Sequence, residues 1–508
     1  MAVATLISRI LGLFREQLIA SYFGASGLTD AFYVAYRIPN LLRDLFAEGA
    51  FSSAFIPIFT EEKNKSAEDV RKLFSRVFWS LVIITGILSF IIYSNAHLLI
   101  KTFAPEFLNQ PEKFELTVLM VKILAPFLLF ICVAALFMGV LNTYKIFFWP
   151  ALMPAVGNVA VILSIIFLVP YMKSYQLPAI ISVPIGVILG GFLQFTLMIP
   201  ALLKLNLNFR PSKNLLTKPV KRVYAKMGPG LLGFSINQIN LLINTILATG
   251  AGIGAISWLN FGSRLFQFPN GIVSVSLGNS NLVHFAHKWK ENKTQEALAV
   301  YLSTYKIMIF LIIPITFFTL IFSEWISCLV FERGNFTRVD TFNTAKALFY
   351  YSLSLPLYGL YKVTVPVFYT IDKERVPVIS SFISIFVNII FALTLIKSYG
   401  FVVLAMASSI SIFVNCLILL TSLKPILKFR FLDIFSPFLF KTIGSSLLAC
   451  SLLFLGKSHF LFFEMILLKK IFILSSLSIV FFSMYFLFMF LMGEREKVLY
   501  ILKKFKIM

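Results

Sequence analysis

Apolar stretches close to the length of a membrane-spanning helix recur from one end of this 508-residue chain to the other. A spanning helix needs roughly 20 apolar residues. In lipid every backbone N–H and C=O must be satisfied within the protein, which leaves helices and closed barrels as the spanning structures. The stretches here are continuous rather than alternating in polarity, so an outer-membrane barrel is excluded. At 59% hydrophobic and 13% charged residues, the chain also lies far from a soluble domain, which is roughly 45–50% apolar and about 25% charged. The expected fold class is an all-α polytopic membrane protein.

Runs bounded by charges and turn residues give spans at about 2–24, 30–60, 73–100, 117–143, 149–171, 178–203, 222–249, 255–284, 302–330, 342–371, 376–396, 400–423, 436–456 and 466–492. The expectation is therefore 14 transmembrane helices. The net charge of +23 (45 basic minus 22 acidic) is distributed by the positive-inside rule rather than as a nucleic-acid-binding surface. Loops after even-numbered spans and the tail hold roughly 25 Lys and Arg, against 9 in the loops after odd-numbered spans, which places both termini in the cytoplasm. Arg9 and Arg15 interrupt the first apolar run, so it reads as a retained helix and not a signal peptide. Cys132, Cys328, Cys416 and Cys450 stand apart, with no spacing for metal or redox chemistry, and read as packing residues. No metal or cofactor is expected.

The segment "DAFYVAYRIPNLLRDLFAEGAFSSAFIPIF" (30–59) is long enough to span yet carries Asp30, Arg37, Arg43, Asp44 and Glu48. Arg9 and Arg15 sit in the first span and Arg264 in the eighth. An Arg at the bilayer centre costs about 2.5–3.5 kcal/mol on insertion scales. Snorkelling or topogenic charges near helix ends suit Arg9 and Arg37, but suit Arg43 and Arg264 poorly. The set points to a hydrated cationic cavity whose guanidinium forks match phosphate oxygens, with carboxylates holding some of the arginines. Asp30, Arg37 and Asp44 are spaced by seven, so a continuous helix stacks them on one stripe. Arg43 then points about 100° from Asp44 and is freer to meet something else. Pro39 introduces a possible kink. Gly228, Pro229 and Gly230, in "MGPGLLGF" (227–234), read either as a hinge or as a plain helix start at the proline.

"SRILGLFREQLIASYFGASGLTDAFYVAYRIPNLLRDLFAEGAFSSAFIPIF" (8–59) closely resembles the opening of the MurJ/MviN family of lipid II flippases. "MGPGLLGFSINQINLLINT" (227–245), "SRLFQFPNGI" (263–272), "GNFT" (334–337) and "KVTVPVFYTIDKERVPV" (362–378) extend the resemblance over nearly the whole chain. The resemblance implies a MATE-like fold of two six-helix lobes around a central cavity. It assigns 1–204 to the N-terminal lobe, 205–221 to a cytoplasmic linker and 222–424 to the C-terminal lobe. Residues 425–508 become a C-terminal helix pair, forming a groove for a lipid tail, and a cytoplasmic tail. The implied cargo is lipid II, an undecaprenyl-pyrophosphate-linked peptidoglycan precursor, moved to the outer leaflet of the bacterial cytoplasmic (inner) membrane by alternating access. Substrate-binding positions carried over are Arg9, Arg15, Asp30, Arg37, Arg43, Glu48 and Arg264. Ser263 and Gln267 depart from the acidic residues that relatives carry at those positions.

No Walker A motif is present, so direct ATP coupling is not expected. Helix 7 and helices 11–12 hold no Asp or Glu, only Asn237, Asn240, Asn244, Asn388 and Asn415. That favours the membrane potential over a cation gradient as the energy source, one charge crossing 100 mV being worth about 2.3 kcal/mol. The expected partners are lipid II and membrane lipids. A monomer is expected, with contact to the cell-wall synthesis machinery as a further possibility. Rival readings are a flippase for another polyprenyl-linked sugar, a multidrug exporter, which for cations would want an acidic cavity, and a membrane enzyme, which would want carboxylates or metal ligands near a large outer loop.

Overall fold

The computed structural model describes residues 2–44, 50–207, 209–211, 214–457, 461–496 and 498–499. Among them every regular element is helical. The chain separates into two compact units, Met1–Ser257 and Trp258–Met508. Nine helical segments among the described residues are long and apolar enough to cross a membrane. The arginine-bearing stretches 2–23, 27–43 and 255–290 are not among the nine. Polar side chains turned into protein interior lower a helix's mean hydropathy without barring it from a membrane.

The first unit is built from α1 (Ala2–Phe23), α2 (Gly27–Arg43), α3 (Ala50–Lys63), α4 (Ala67–Ser94), α5 (Ala96–Phe103), α6 (Pro111–Leu124), α7 (Phe127–Thr143), α8 (Phe148–Ser174), α9 (Ser182–Thr196), α10 (Ile199–Lys204) and α11 (Lys218–Thr249). Gly24, at φ +64°, ends α1, and Ser26 caps α2 by accepting from the Thr29 N–H. Pro126 lacks the N–H that would continue α6 into α7, so the single apolar span Pro111–Thr143, which takes in the expected 117–143, is interrupted at 125–126. Pro39 lies buried inside α2, which continues through it.

Close approach of α8 and α9 depends on small residues. A Cβ at Gly186 would lie 2.7 Å from both Val161 Cα and Ser164 Cβ. Gly186→Val therefore overpacks this crossing and costs about 1–3 kcal/mol, measurable as earlier thermal unfolding of the purified protein in detergent.

The start of the 205–221 segment is docked on α4. Phe209 packs against Phe74, Phe78 and Phe137. Trp79 Nε1 donates to the Phe209 carbonyl at 2.8 Å, and Ser75 Oγ donates to the Arg210 carbonyl. α11 then begins at Lys218, with Pro219 in its first turn. α11 thus begins four residues ahead of the expected span at 222, and of the two readings of 228–230 the helix start at the proline is excluded: 218–226 is already helical, so Gly228 lies inside α11. The side chain of Pro229 and the surroundings of Gly230 lie outside what the structure describes. α11 packs along α3, and Arg222 reaches Glu61 at 2.8 Å.

α12 (Ala255–Pro269) begins at the end of the first unit and runs into the second. There follow α13 (Val275–Lys290), α14 (Thr294–Phe331), α15 (Arg338–Ser352), α16 (Leu355–Thr370), α17 (Arg375–Tyr399), α18 (Val402–Leu427), α19 (Phe431–Ile434), α20 (Pro437–Lys457) and α21 (Leu467–Leu491). A π turn over Asn270–Ser274 separates α12 from α13. It follows Pro269, whose missing N–H and ring clash are relieved by a widened turn. Thr337 and Asp340 form a reciprocal capping box at the start of α15, and Asp340 also accepts from Trp258 Nε1 at 2.9 Å.

The last two helices are fastened to α14 along its length. Tyr485 OH donates to the Phe310 carbonyl at 2.9 Å, Phe481 packs on Phe318, and Phe462 stacks on Trp325 with centroids 4.2 Å apart. Arg338 lies 4.0 Å over the Phe463 ring while pairing with Glu332 at 2.7 Å. Lys470 Nζ lies 3.4 Å from Cys328 Sγ. All four cysteines are free and buried.

Candidate functional site

Two arginines of the first unit are built to one plan. Arg15 and Glu16 are neighbours on α1 and form an ion pair through Arg15 Nη2 and Glu16 Oε1. The other oxygen of Glu16, Oε2, accepts from Tyr33 OH of α2 at 2.6 Å. Arg15 Nη1 donates to Asn158 Oδ1 of α8 at 3.1 Å, and Asn158 Nδ2 returns to α1 by donating to the Ser8 carbonyl at 3.0 Å. Gly12 faces this amide, where a Cβ would meet Asn158 Nδ2 in ordinary contact at 3.4 Å. Glu16 is only 3% exposed, so the charge of Arg15 is balanced inside the protein.

On α2, Arg43 Nε and Nη2 both donate to Asp44 Oδ1, at 3.1 and 2.6 Å. Asp44 Oδ2 accepts from Gln238 Nε2 of α11 at 3.1 Å and from Asn40 Nδ2 at 3.5 Å. The expectation that Arg43 points away from Asp44 is therefore corrected. Successive residues leave a helix about 100° apart, but the guanidinium bends back across that gap. Charge-assisted contacts of this kind are among the strong hydrogen bonds.

Asp30 has different partners. It is 1% exposed; Oδ2 accepts from the Gly254 N–H at 2.7 Å, and Oδ1 accepts from the Ser257 N–H at 3.0 Å and Ser257 Oγ at 2.7 Å. Lys113 Nζ stands 3.8 Å from Oδ2. A carboxylate so enclosed meets a headgroup only after giving up these bonds; in this structure it secures the turn ahead of α12. Gly252 and Gly254 hold that turn at φ +109° and +88°, a left-handed geometry that favours glycine.

Arg9 on α1 and Arg37 on α2 are half-buried. Arg264 is half-buried on α12 in the second unit. The neighbouring Ser263 Oγ donates to the Asn260 carbonyl at 2.9 Å, and Gln267 is exposed. Glu48 lies outside the described residues. Glu16, Tyr33, Asn158, Asp44 and Gln238 complete the arginine sites; of these, sequence reasoning gave a role only to Asp44, as a carboxylate on the Arg37 stripe and not as the partner of Arg43. The available signal was the Arg–acid dipeptide repeated at 15–16 and 43–44. Among the described residues, no group of three or more His, Cys, Asp or Glu side chains is placed to hold a metal ion.

The arginine–carboxylate pairs thus lie within an all-helical polytopic membrane protein, whose fold is that of a transporter class. The fold is similar to that of a multidrug resistance MATE family transporter of the MOP superfamily in an inward-facing conformation. The TM-score is 0.66 at 14% identity, over 83% of this chain and 94% of that one. A stronger likeness, TM-score 0.83 at 28% identity over 98% of this chain and 99% of the other, is to a lipid II flippase MurJ in an inward closed conformation. The profile of the family described as lipid II flippase MurJ matches residues 19–473. A probable lipid II flippase MurJ of Buchnera aphidicola subsp. Schizaphis graminum is 36% identical over 389 residues, 76% of this chain and 74% of that protein. The lipid II flippase MurJ of Burkholderia cenocepacia is 36% identical over 383 residues, 74% of this chain and 73% of that protein. The chain belongs to the MurJ family of lipid II flippases, which are transporters and not enzymes.

Proposed function

We propose that this protein moves lipid II from the cytoplasmic to the outer leaflet of the bacterial cytoplasmic membrane by alternating access. The observation that carries the reading is the pair of arginine–carboxylate sites on α1 and α2, each anchored by a neutral donor from another helix. Guanidinium forks suit the pyrophosphate of the headgroup, and the adjacent carboxylates keep them from standing as uncompensated charges in the membrane. The substrate-binding residues are Arg15, Arg43 and Arg264, with Arg9, Arg37 and Glu48 as further binding positions and Asp30 acting through the turn it holds.

The lobes are 1–204 and 222–424, joined by a cytoplasmic linker at 205–221 whose last residues, from Lys218, already belong to α11. Residues 425–508 supply the helix pair for the prenyl tail and a cytoplasmic tail, which gives 14 spanning helices with both termini cytoplasmic. Pro39 and 228–230 are the hinge positions. The protein acts as a monomer in contact with the cell-wall synthesis machinery, driven by the membrane potential without a cofactor.

The test is lipid II exposure at the outer surface of cells depleted of their own flippase and supplied with this chain. Wild type restores exposure; Arg43→Ala and Arg264→Ala at matched membrane abundance lose it by 100-fold or more, the order of effect expected when a charged contact to the cargo is removed (about 3 kcal/mol). Wild-type rates from either arginine variant would remove that residue from the site. Failure of the well-expressed wild type to restore exposure would remove lipid II as the cargo.

A further inference from the structure

We infer that Asp44 is a resident counter-anion: it occupies the Arg43 fork until a phosphate group of the cargo displaces it, and Gln238 and Asn40 hold the displaced carboxylate. The inference rests on reading Arg43 as a headgroup contact. Its basis is the way the two oxygens of Asp44 are divided. Arg43 Nε and Nη2 converge on Oδ1, while Oδ2 is held separately by the amides of Gln238 and Asn40. A guanidinium fork is best matched by two oxygens of one anion, and Asp44 offers it one. A phosphate group offers two, and Asp44 remains held by neutral donors when it yields.

Exposure separates this pair from its counterpart on α1. The Arg43 and Asp44 side chains are 24% and 18% exposed, within reach of an incoming headgroup. Glu16 is 4% exposed by the same measure, and its second oxygen is held by Tyr33 at 2.6 Å. Glu16 is thus a fixed support for Arg15, whereas Asp44 is exchangeable. In the resting protein, the exchange keeps Arg43 from being an unpaired charge. In the loaded protein, Asp44 competes for the fork and limits how tightly the cargo is held, which favours release. Asp44 and Gln238 are positioning residues, acting on the cargo through Arg43.

The test uses the full-length protein in nanodiscs, titrated separately with lipid II and with inorganic pyrophosphate. Asp44→Asn removes the competitor, so both probes bind about tenfold tighter, the scale of one hydrogen bond to a charged group. Gln238→Ala removes the donor that receives the displaced carboxylate, so both bind roughly threefold weaker. A purely structural pair would weaken binding in both variants; opposite signs are the signature of exchange. Adding Asp44→Asn to Arg43→Ala brings no gain over Arg43→Ala alone. Unchanged or weaker binding by folded Asp44→Asn overturns the proposal. If that variant does not fold, unchanged or tighter binding by Gln238→Ala overturns it instead. Wild type that binds pyrophosphate but not lipid II sinks the cargo reading and leaves the exchange to be judged on pyrophosphate. Wild type that binds neither sinks both.

Discussion

Glu16→Ala destabilises the protein by about 3–5 kcal/mol, the cost of leaving one member of a buried ion pair without its partner. Arg15 retains Asn158 on Nη1, but its Nε is already buried without a hydrogen bond, so little remains to balance the guanidinium. Tyr33 OH loses its acceptor at the same time. Thermal unfolding in detergent measures the loss, and cargo transport at matched abundance falls with it because Arg15 is no longer held. Glu16→Asp preserves the charge and recovers part of both. A Glu16→Ala protein as stable as wild type would mean that Arg15 is balanced by water and not by Glu16.

Asp30→Ala is the second large loss. It strips acceptors from the Gly254 N–H, the Ser257 N–H and Ser257 Oγ in one step, and leaves Lys113 without the carboxylate 3.8 Å away. Each hydrogen bond to a charged acceptor is worth about 1.5–3 kcal/mol, and leaving a buried donor unsatisfied costs about 1–3 kcal/mol. These terms overlap, so the expected loss is about 3 kcal/mol or more, with faster amide exchange at 254–257 ahead of global unfolding. Asp30→Asn keeps one acceptor oxygen and loses less. If Asp30→Ala abolished transport while leaving exchange at 254–257 unchanged, Asp30 would be a cargo contact and not an anchor for the turn.

The helices were legible because lipid and core impose the same demand on a sequence. Apolar runs such as 148–174 and 402–427 stand within a few residues of the expected spans. α11 starts at Lys218, four residues before the expected 222, because the charged residues that end an apolar span do not by themselves prevent helix formation. The arginines were legible as charges out of place. Their partners were not: Arg43 and Asp44 are adjacent, which on an ideal helix argues against contact, and Gln238 lies 194 positions from Asp44. Asp30 likewise finds Gly254 and Ser257 across more than 220 positions. Local pattern carries the spans; the site is made of side chains that only the packed helices bring together.

The fastening of α20 and α21 has a kinematic meaning. Two helices hung on the chain at 428–436 alone would form a swinging arm. Three attachments spread along α14 and the start of α15 take that freedom away: Tyr485 on the Phe310 carbonyl, Phe481 on Phe318, and the Trp325–Phe462 stack with Arg338 over Phe463. Points so spaced fix position and tilt together. The helix pair is thus strapped across the kink of α14 at Phe322, and any motion shared by the two parts of α14 carries the pair with it.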